Sequence, residues 1–278
     1  MNFSKSELFL KDFHERFPGC TSLTMAASLI NENKSSYALL ADLVPVTSEK
    51  VSVLDLACGD GYLLSLLQMR QQKGLEIQGI DLSEAELKAA RVRLGPQVPL
   101  HMAKAQELPI SNSSLDVVTC HMAFMLMDSV EKVLEEVGRV LRSGGVFSAV
   151  ISGEGPQNPI NEVFRSLLRS SLKTEDFDLL KQIGDPRLGR LNREEDIRGL
   201  FKKEFRAPVE IKKLVLKTDT TIDGATEFFM SYYPLSFIIG EKREAFERVL
   251  RRELENFADD RKTLTCIESM IQITAQKI

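Results

Sequence analysis

The sequence predicts an α/β protein in which a mostly parallel β-sheet carries helices on both faces. Residues 51–152 alternate short apolar runs with amphipathic stretches, which is typical of consecutive β-α-β units. Two glycines follow the first apolar run, and an aspartate ends the second. The chain has 278 residues, 43% of them hydrophobic, which is enough for one large domain.

Five strands are predicted in this central region, separated by helix and turn signals. The segment Tyr62–Gln72 places leucines on one helical face. Ser83 and Glu86 form a capping-box pattern that opens the next helix. Asp128 is expected to cap a third helix that runs to about Leu141. The predicted strands are Val51–Leu56, Leu75–Asp81, Leu100–Ala103, Leu115–His121 and Val146–Ile151.

The flanking segments show less regular patterns. Residues 4–44 are predicted to be helical in two pieces, and residues 153–206 to be helices and loops. Val209–Leu216 and Thr265–Gln276 are predicted as late strands, because apolar residues alternate with polar ones in the second of them. Between them, Thr226–Asn256 is predicted to be helical, with breaks near Pro234 and Gly240.

Composition and charge exclude several classes of function. A net charge of −4 predicts no general affinity for nucleic acid or for an anionic membrane. Charged residues such as Lys5 and Lys11 interrupt the N-terminal apolar residues, so neither a signal peptide nor a membrane span is expected. Four separated cysteines and three histidines predict no metal site. A cytoplasmic protein with reduced thiols is therefore expected.

One local stretch departs from the acidic average. Residues 187–217 contain ten Lys or Arg and five Asp or Glu, a local net charge of +5. Solvated helix faces account for such a run in most proteins. The alternative is a binding surface for an anionic substrate or an acidic carrier protein.

The stretch VLDLACGDGYLL, residues 53–64, carries the clearest chemical signal. A strand is predicted to end at Asp55, and a helix to begin after Gly61. Gly59 and Gly61 lack Cβ atoms, so the backbone can turn tightly and approach a ligand. The helix N-terminus presents free N–H groups there. Asp55 disfavours a phosphate and favours an ammonium, while Asp81 can accept hydrogen bonds from ribose hydroxyls.

Two other interpretations of this turn are open. A dinucleotide-binding site would need a third glycine at position 64, which is Leu64 here, so a Rossmann dehydrogenase is disfavoured. A glycine-rich turn with no ligand is the other interpretation. The strand–turn–helix context and Asp81 argue against it.

The motifs together resemble the class I S-adenosylmethionine-dependent methyltransferases. VLDLACGDG resembles the glycine-rich first motif of that family, and GIDLS (79–83) resembles its acidic second strand. AQELPISNSSLDVV (105–118) resembles the adenine loop and fourth strand of small-molecule members, and LRSGGVF (141–147) the turn into the fifth strand. The resemblance implies a Rossmann-like sheet of seven strands, with the last strand antiparallel.

The resemblance also implies the cofactor, S-adenosylmethionine, and the residues that bind it. Asp55 would lie near the methionine ammonium, Asp81 would hold the ribose, and Leu82 would lie against the adenine. One departure is Lys104, where members often carry an aspartate; a lysine cannot accept a hydrogen bond from adenine. Gln106 or a backbone carbonyl is expected to replace that contact. The complete implied set is Asp55, Ala57, Gly59, Gly61, Asp81, Leu82, Ala105, Gln106 and His121.

His121 is also the candidate catalytic residue. It ends the fourth predicted strand of the central region, where family members place side chains beside the methionine of the cofactor or the substrate. An imidazole titrates near neutral pH and could act as a general base or orient the substrate. The alternative is a histidine that hydrogen-bonds the cofactor or a backbone group and transfers no proton.

The predicted function is methyl transfer to a small-molecule or carrier-linked acceptor in one methyltransferase domain, with no metal. AQELP (105–109) most resembles the methyltransferases of quinone biosynthesis and the malonyl carrier-protein methyltransferases. A non-catalytic interaction module on the same fold is the alternative, because fold does not fix function. The predicted parts are an N-terminal helical lid at 1–48, a cofactor-binding core at 49–152, a helical cap at 153–206 and C-terminal strands and helices at 207–278.

Overall fold

The computed structural model describes residues 3–30, 34–153, 158–184, 186–188 and 193–278. Within these ranges nine strands form one mixed sheet, in the order β2-β1-β8-β9-β7-β6-β3-β4-β5. The strands are β1 Leu29–Ile30, β2 Lys34–Ser35, β3 Val51–Leu56, β4 Leu75–Asp81, β5 Leu100–Met102, β6 Leu115–His121, β7 Leu141–Ser152, β8 Glu210–Thr221 and β9 Thr263–Gln276.

The centre of the sheet confirms the predicted α/β class. Strands β5, β4, β3, β6 and β7 are parallel neighbours, and β9 lies antiparallel between β7 and β8. The predicted bounds of β3, β4 and β6 match those of the structure. Every residue of β3 is buried, as expected for a central parallel strand with helices on both faces.

The predicted number of seven strands is wrong, because the described sheet has nine. The two additional strands form a short hairpin, β1 and β2, whose strand β1 pairs with β8. This hairpin lies in a segment that was predicted to be helical. Each strand has two residues, so it is too short to show the alternation that identifies a strand in a sequence.

Eleven α-helices are described. Residues 4–44 contain three of them, and the cap region contains another three. The predicted break near Pro234 and Gly240 is confirmed, since a 3₁₀ turn at Tyr233–Phe237 separates two helices. The helices are α1 Lys5–Arg16, α2 Cys20–Met25, α3 Ser36–Asp42, α4 Tyr62–Gln68, α5 Glu84–Leu94, α6 Val130–Val140, α7 Pro159–Ser171, α8 Thr174–Leu180, α9 Glu194–Phe201, α10 Ile222–Met230 and α11 Glu241–Glu255.

Two side chains were predicted to cap helices, Ser83 for α5 and Asp128 for α6. Ser83 caps α5 as predicted, because its hydroxyl accepts from the Glu86 amide at 3.2 Å. Asp128 does not cap α6, whose N-cap is Ser129. The Asp128 carboxylate instead accepts hydrogen bonds from Ser4 and Ser6 at the start of α1. Its distant partners were not visible as a local pattern.

The core is packed on both faces of the parallel strands. One cluster joins β6 and β7 to α6 and α9, with Phe124, Phe147 and Phe201 fully buried in edge and stacked ring contacts. A second cluster packs α3 and α4 against β3. This core fixes the carboxyl ends of the parallel strands at one edge, where open α/β sheets bind ligands. No helix in the described ranges is long and apolar enough to cross a membrane.

Candidate active site

A cavity of about 520 Å³ lies at the carboxyl ends of β3, β4 and β6. The structure brings eight of the nine predicted cofactor-binding residues to its wall. Gly61 is the exception, since it does not border the cavity. The eight are Asp55, Ala57, Gly59, Asp81, Leu82, Ala105, Gln106 and His121.

The glycine-rich turn uses its two glycines for different purposes. Both have a positive φ, +52° at Gly59 and +76° at Gly61. A Cβ on Gly59 would lie 3.7 Å from an oxygen of Glu86, which is an ordinary van der Waals contact, so this position borders the cavity without a clash. A Cβ on Gly61 would lie 2.7 Å from the Leu94 side chain. Gly61 therefore permits close packing of α4 on α5, which is a structural role that the motif alone did not distinguish.

Asp81 holds the turn as well as bordering the cavity. One carboxylate oxygen accepts from the Gly59 amide at 2.9 Å, and the other accepts from the Ser83 amide at 2.9 Å. A carboxylate oxygen has two lone pairs, so each can accept a second hydrogen bond. Asp81 thus fixes the turn relative to α5 and keeps acceptor capacity for a ligand hydroxyl.

Asp55 lies at the end of β3 and is almost completely buried. Thr119 donates a hydrogen bond to its carboxylate at 3.0 Å. Burial raises the pKa of Asp55 to about 8, against the opposing effect of the Thr119 hydrogen bond, and the neighbouring carboxylates Asp81 and Asp60 raise it further. A cationic ligand in the cavity would favour the ionised form, which suits the predicted contact with an ammonium.

The raised pKa of Asp55 predicts a measurable pH dependence of stability. In the folded protein Asp55 keeps its proton to about pH 8, whereas in the unfolded chain it ionises near its ordinary value of about 4. Stability from this group is therefore fully present below pH 4 and is lost as pH rises through 8. Asp55→Asn removes the titration and keeps an acceptor for Thr119.

Urea unfolding of the wild type and of Asp55→Asn between pH 5 and pH 7 tests this expectation. From pH 5 to pH 7 the free energy of unfolding of the variant should rise by about 1–3 kcal/mol relative to that of the wild type. One proton changes this free energy by up to about 1.4 kcal/mol per pH unit. The difference between the two proteins cancels the titrating groups that do not interact with Asp55. A difference that stays constant over this interval would contradict the protonated Asp55.

Helix α1 borders the same cavity and is tied to its rim by charged side chains. Glu7 accepts from Lys104 at 2.7 Å, and His14 lies 2.8 Å from the Glu86 carboxylate. Glu86 also accepts from the Gly19 amide at 2.9 Å. The lysine at position 104, a departure from the family pattern, thus pairs with the N-terminal helix. Sequence reasoning missed these contacts because the partners are 67 or more positions apart.

His14 and Glu86 form a partly buried contact, in which the Glu86 side chain is 3% exposed and the His14 side chain 28%. Burial lowers the pKa of His14, but hydrogen bonds to Cys20 and Glu86 outweigh that effect and raise it to about 10. The imidazole is therefore charged at neutral pH and pairs with the carboxylate. This ion pair connects α1 to the N-terminal turn of α5, beside the glycine-rich turn.

The opposite wall of the cavity is largely apolar. Helices α7 and α8 contribute Phe164, Leu168, Phe177 and Leu180, as expected if residues 153–206 cover the site. The segment from Phe229 to Pro234, at the end of α10, completes this wall. Sequence analysis placed that segment in a helical region but gave no signal that it reaches the site.

His121 projects into this cavity from the end of β6. Its Nε2 lies 2.8 Å from the hydroxyl of Ser36, and its ring stacks on Tyr37 with 3.6 Å between centroids. Burial lowers the pKa of His121 to about 3, so the imidazole is neutral. Its Nδ1 is buried and has no hydrogen-bond partner among the described residues.

The basic run of residues 187–217 does not reach the cavity in its described part. Arg187 pairs with Glu131 at 2.6 Å, and Lys203 pairs with Glu135 at 2.6 Å, both on α6. Residues 189–192 lie outside the described ranges. These ion pairs favour the interpretation of solvated helix faces. The described residues also contain no group of His, Cys, Asp and Glu side chains that could hold a metal ion.

Comparisons with known proteins agree with this geometry. Residues 54–149 match the family model described as a methyltransferase domain. A malonyl-[acyl-carrier protein] O-methyltransferase of Hamiltonella defensa is 38% identical over 107 residues, 38% of this chain and 40% of that protein. A ubiquinone/menaquinone biosynthesis C-methyltransferase of Campylobacter jejuni is 33% identical over 100 residues, 34% of this chain and 42% of that protein.

A solved structure extends the likeness beyond this central region. The crystal structure of a putative methyltransferase from Bacillus halodurans aligns with a TM-score of 0.54 and 18% identity, over 87% of this chain and 98% of that one. At this identity the likeness shows the fold alone. The matches to the curated relatives span about two fifths of the length of those proteins.

Residues 54–149 thus form a methyltransferase domain of the S-adenosylmethionine-dependent class, as the four motifs predicted. The cofactor of that class is S-adenosylmethionine, which confirms the expected cofactor at the level of the class. The residues outside the matched segment build the cap side of the cavity, which the family model does not cover.

Proposed function

We propose that the chain binds S-adenosylmethionine in this cavity and transfers its methyl group to a small-molecule or carrier-linked metabolite. The observation that carries the proposal is a single cavity with two different walls. One wall contains the glycine-rich turn and Asp81, and the other contains the apolar side chains of α7 and α8. Such a cavity can hold a nucleoside cofactor and an acceptor side by side.

The cofactor half follows from the contacts already described. Gly59 gives a ligand room to approach the turn, and Asp81 keeps acceptor capacity for the ribose hydroxyls. Asp55 would become ionised beside the methionine ammonium. Leu82 and Ala105 line the wall where the adenine would lie, and the Gln106 amide donates to the Asp128 carbonyl at 2.6 Å. Gly61 takes no part in this half.

The acceptor half accounts for the rest of the cavity. Phe164, Leu168, Phe177 and Leu180 suit an acceptor with an apolar body. The two curated relatives are named for a carrier-linked and a small-molecule acceptor, and this supports the same range for this chain. The proposed division is a lid at 1–48, a core at 49–152, a cap at 153–206 and a C-terminal part at 207–278.

Methyl transfer requires little acid–base catalysis by the protein when the methyl acceptor is a good nucleophile. The carbon–sulfur bond breaks as the bond to the acceptor forms, with the three reacting atoms in line. The contribution of the protein is to align the reactants and to exclude water. Helix α1 and the cap, which border the two sides of the cavity, can supply both.

Thermal unfolding with added ligands tests the cofactor half. S-adenosylhomocysteine at a hundred times its Kd should stabilise the protein by about 2.7 kcal/mol, whereas NADH should leave the melting temperature unchanged. Release of S-adenosylhomocysteine from S-adenosylmethionine, followed over a panel of phenols, amines, thiols and acyl carriers, tests the transfer. Stabilisation by NADH alone would refute the proposal. Cofactor binding without transfer to any of these acceptors would favour a non-catalytic module.

A further inference from the structure

We propose that His121 donates a hydrogen bond from Nδ1 into the cavity, to an oxygen of a bound reactant, and that Ser36 fixes the ring in the tautomer that does so. The proposal rests on the proposed function and deepens it. It makes His121 a binding group for an oxygen acceptor, such as a carboxylate, phenolate or enolate. It also makes Ser36 a positioning residue.

The ring of His121 is fixed in position before any ligand binds. Its Nε2 lies 2.8 Å from the Ser36 hydroxyl, and its face stacks on Tyr37 at an interplanar angle of 22°. Ser36 is completely buried, and Tyr37 packs at an edge against Tyr62. The imidazole therefore has one orientation, with Nδ1 on the side away from Ser36.

The hydroxyl of Ser36 decides which nitrogen carries the proton. Its single side-chain partner among the described residues is Nε2 of His121. A buried hydroxyl without an acceptor for its proton is costly, and an unused lone pair is tolerated more easily. With an acceptor at Nδ1, donation from Ser36 to an unprotonated Nε2 is the one arrangement that satisfies both protons. The neutral ring then carries its proton on Nδ1.

The Nδ1–H group has no acceptor among the described residues, although it is buried and His121 lines the cavity. Orphaned buried N–H groups are rare in folded proteins. A ligand in the cavity is the available source of an acceptor. Since burial disfavours the charged ring, His121 serves as a donor and not as a general base.

Two reactants could supply the oxygen. One is the carboxylate of the methionine part of the cofactor, and the other is the acceptor of the methyl group. A hydrogen bond to the methyl acceptor would select an ionised or carbonyl oxygen next to the methyl group and would disfavour a protonated amine, which has no lone pair to accept it. The Nδ1–H donor is the same in both cases, so the structure does not distinguish the two sources of the oxygen. A comparison of two ligands separates them.

The first measurement is the tautomer of His121, read from the ¹⁵N chemical shifts of the ring with and without S-adenosylhomocysteine. Nδ1 should carry the proton in the wild type. Ser36→Ala should shift the ring towards a mixture of tautomers. Tyr37→Phe, which keeps the aromatic ring, should leave the tautomer unchanged. Protonated Nε2 and unprotonated Nδ1 in the wild type would overturn the proposal.

The second measurement compares two ligands on a matched pair of variants. His121→Asn keeps an N–H group near the position of Nδ1, whereas His121→Phe keeps an aromatic ring and loses the donor. S-adenosylhomocysteine has the methionine carboxylate, and 5′-methylthioadenosine lacks it. If the cofactor supplies the oxygen, His121→Phe should weaken S-adenosylhomocysteine by about 10–100-fold and 5′-methylthioadenosine hardly at all. His121→Asn should then retain most of the affinity.

Equal affinities of the wild type and His121→Phe for both ligands would assign the hydrogen bond to the methyl acceptor, provided that Nδ1 carries the proton. Equal weakening of both ligands, with the same loss in His121→Asn, would show that the residue only supports the fold and would overturn the proposal. The affinity of the wild type for S-adenosylhomocysteine is measured first. If the wild type does not bind this ligand, the proposed function is refuted. That result is separate from the tautomer measurement, which tests the role of His121.

Discussion

Gly59→Val should abolish the binding of S-adenosylhomocysteine in a protein that still folds. Gly59 has a φ of +52° and borders the cavity, and an added Cβ would be in van der Waals contact with Glu86 at 3.7 Å. The valine side chain would occupy the room that a ligand needs beside the turn. The positive φ costs an additional 1–2 kcal/mol of stability, roughly, for a residue with a Cβ. Calorimetry measures the binding, and urea unfolding measures the stability.

Gly240→Val is the matched control for this variant. Gly240 has a φ of +57° and a ψ of −142°, and nothing lies within 4 Å of an added Cβ, so its variant introduces backbone strain outside the cavity. The control should lose stability and keep the affinity for S-adenosylhomocysteine. Normal binding by Gly59→Val would show that the turn faces something other than the cofactor. Gly61→Ala, which would press on Leu94, should likewise affect stability before affinity.

Asp81→Ala should weaken S-adenosylhomocysteine by about 1.5–3 kcal/mol, which is roughly 10–150-fold in Kd, because it removes the charged acceptor proposed for the ribose. It should also lower the free energy of unfolding by about 1–3 kcal/mol, since the amides of Gly59 and Ser83 lose their acceptor. Sequence reasoning predicted only the first effect. Titration calorimetry and urea unfolding measure the two effects separately.

Asp116→Ala is the control for Asp81→Ala. It removes a carboxylate that accepts from a backbone amide but does not remove a proposed ligand contact. Asp116 accepts from the Ser52 amide at 2.7 Å, pairs with Arg142 and does not border the cavity. This variant should lose stability and bind S-adenosylhomocysteine as the wild type does. Asp81→Ala with unchanged affinity would remove Asp81 from the site, whatever its effect on stability.

The central fold could be predicted because its signals are local. Short apolar stretches between turn and helix signals located β3, β4 and β6 with their observed bounds. The turn between β3 and α4 was recognisable because glycine at a positive φ leaves a sequence signature. Its motif nevertheless grouped Gly61 with Gly59, although only Gly59 borders the cavity.

The remaining features depend on contacts between distant parts of the chain. Asp128 has the sequence pattern of a helix cap, but its carboxylate accepts from Ser6, 122 positions away. The Ser36 hydroxyl reaches His121 across 85 positions. The hairpin of β1 and β2 is stabilised by pairing with β8, and its own residues carry no strand pattern. Tertiary context determines all three, so periodicity and propensity could not predict them.

The ties between α1 and the rim of the cavity bear on the timing of turnover. The ion pairs of Glu7 with Lys104 and of His14 with Glu86 hold the helix beside the glycine-rich turn. In the proposed function the nucleoside lies under this helix, so it can depart only after these contacts open. We therefore expect the two ion pairs to slow release of the spent cofactor. Prolonged residence of S-adenosylhomocysteine, and inhibition as it accumulates, are the expected consequences of this attachment.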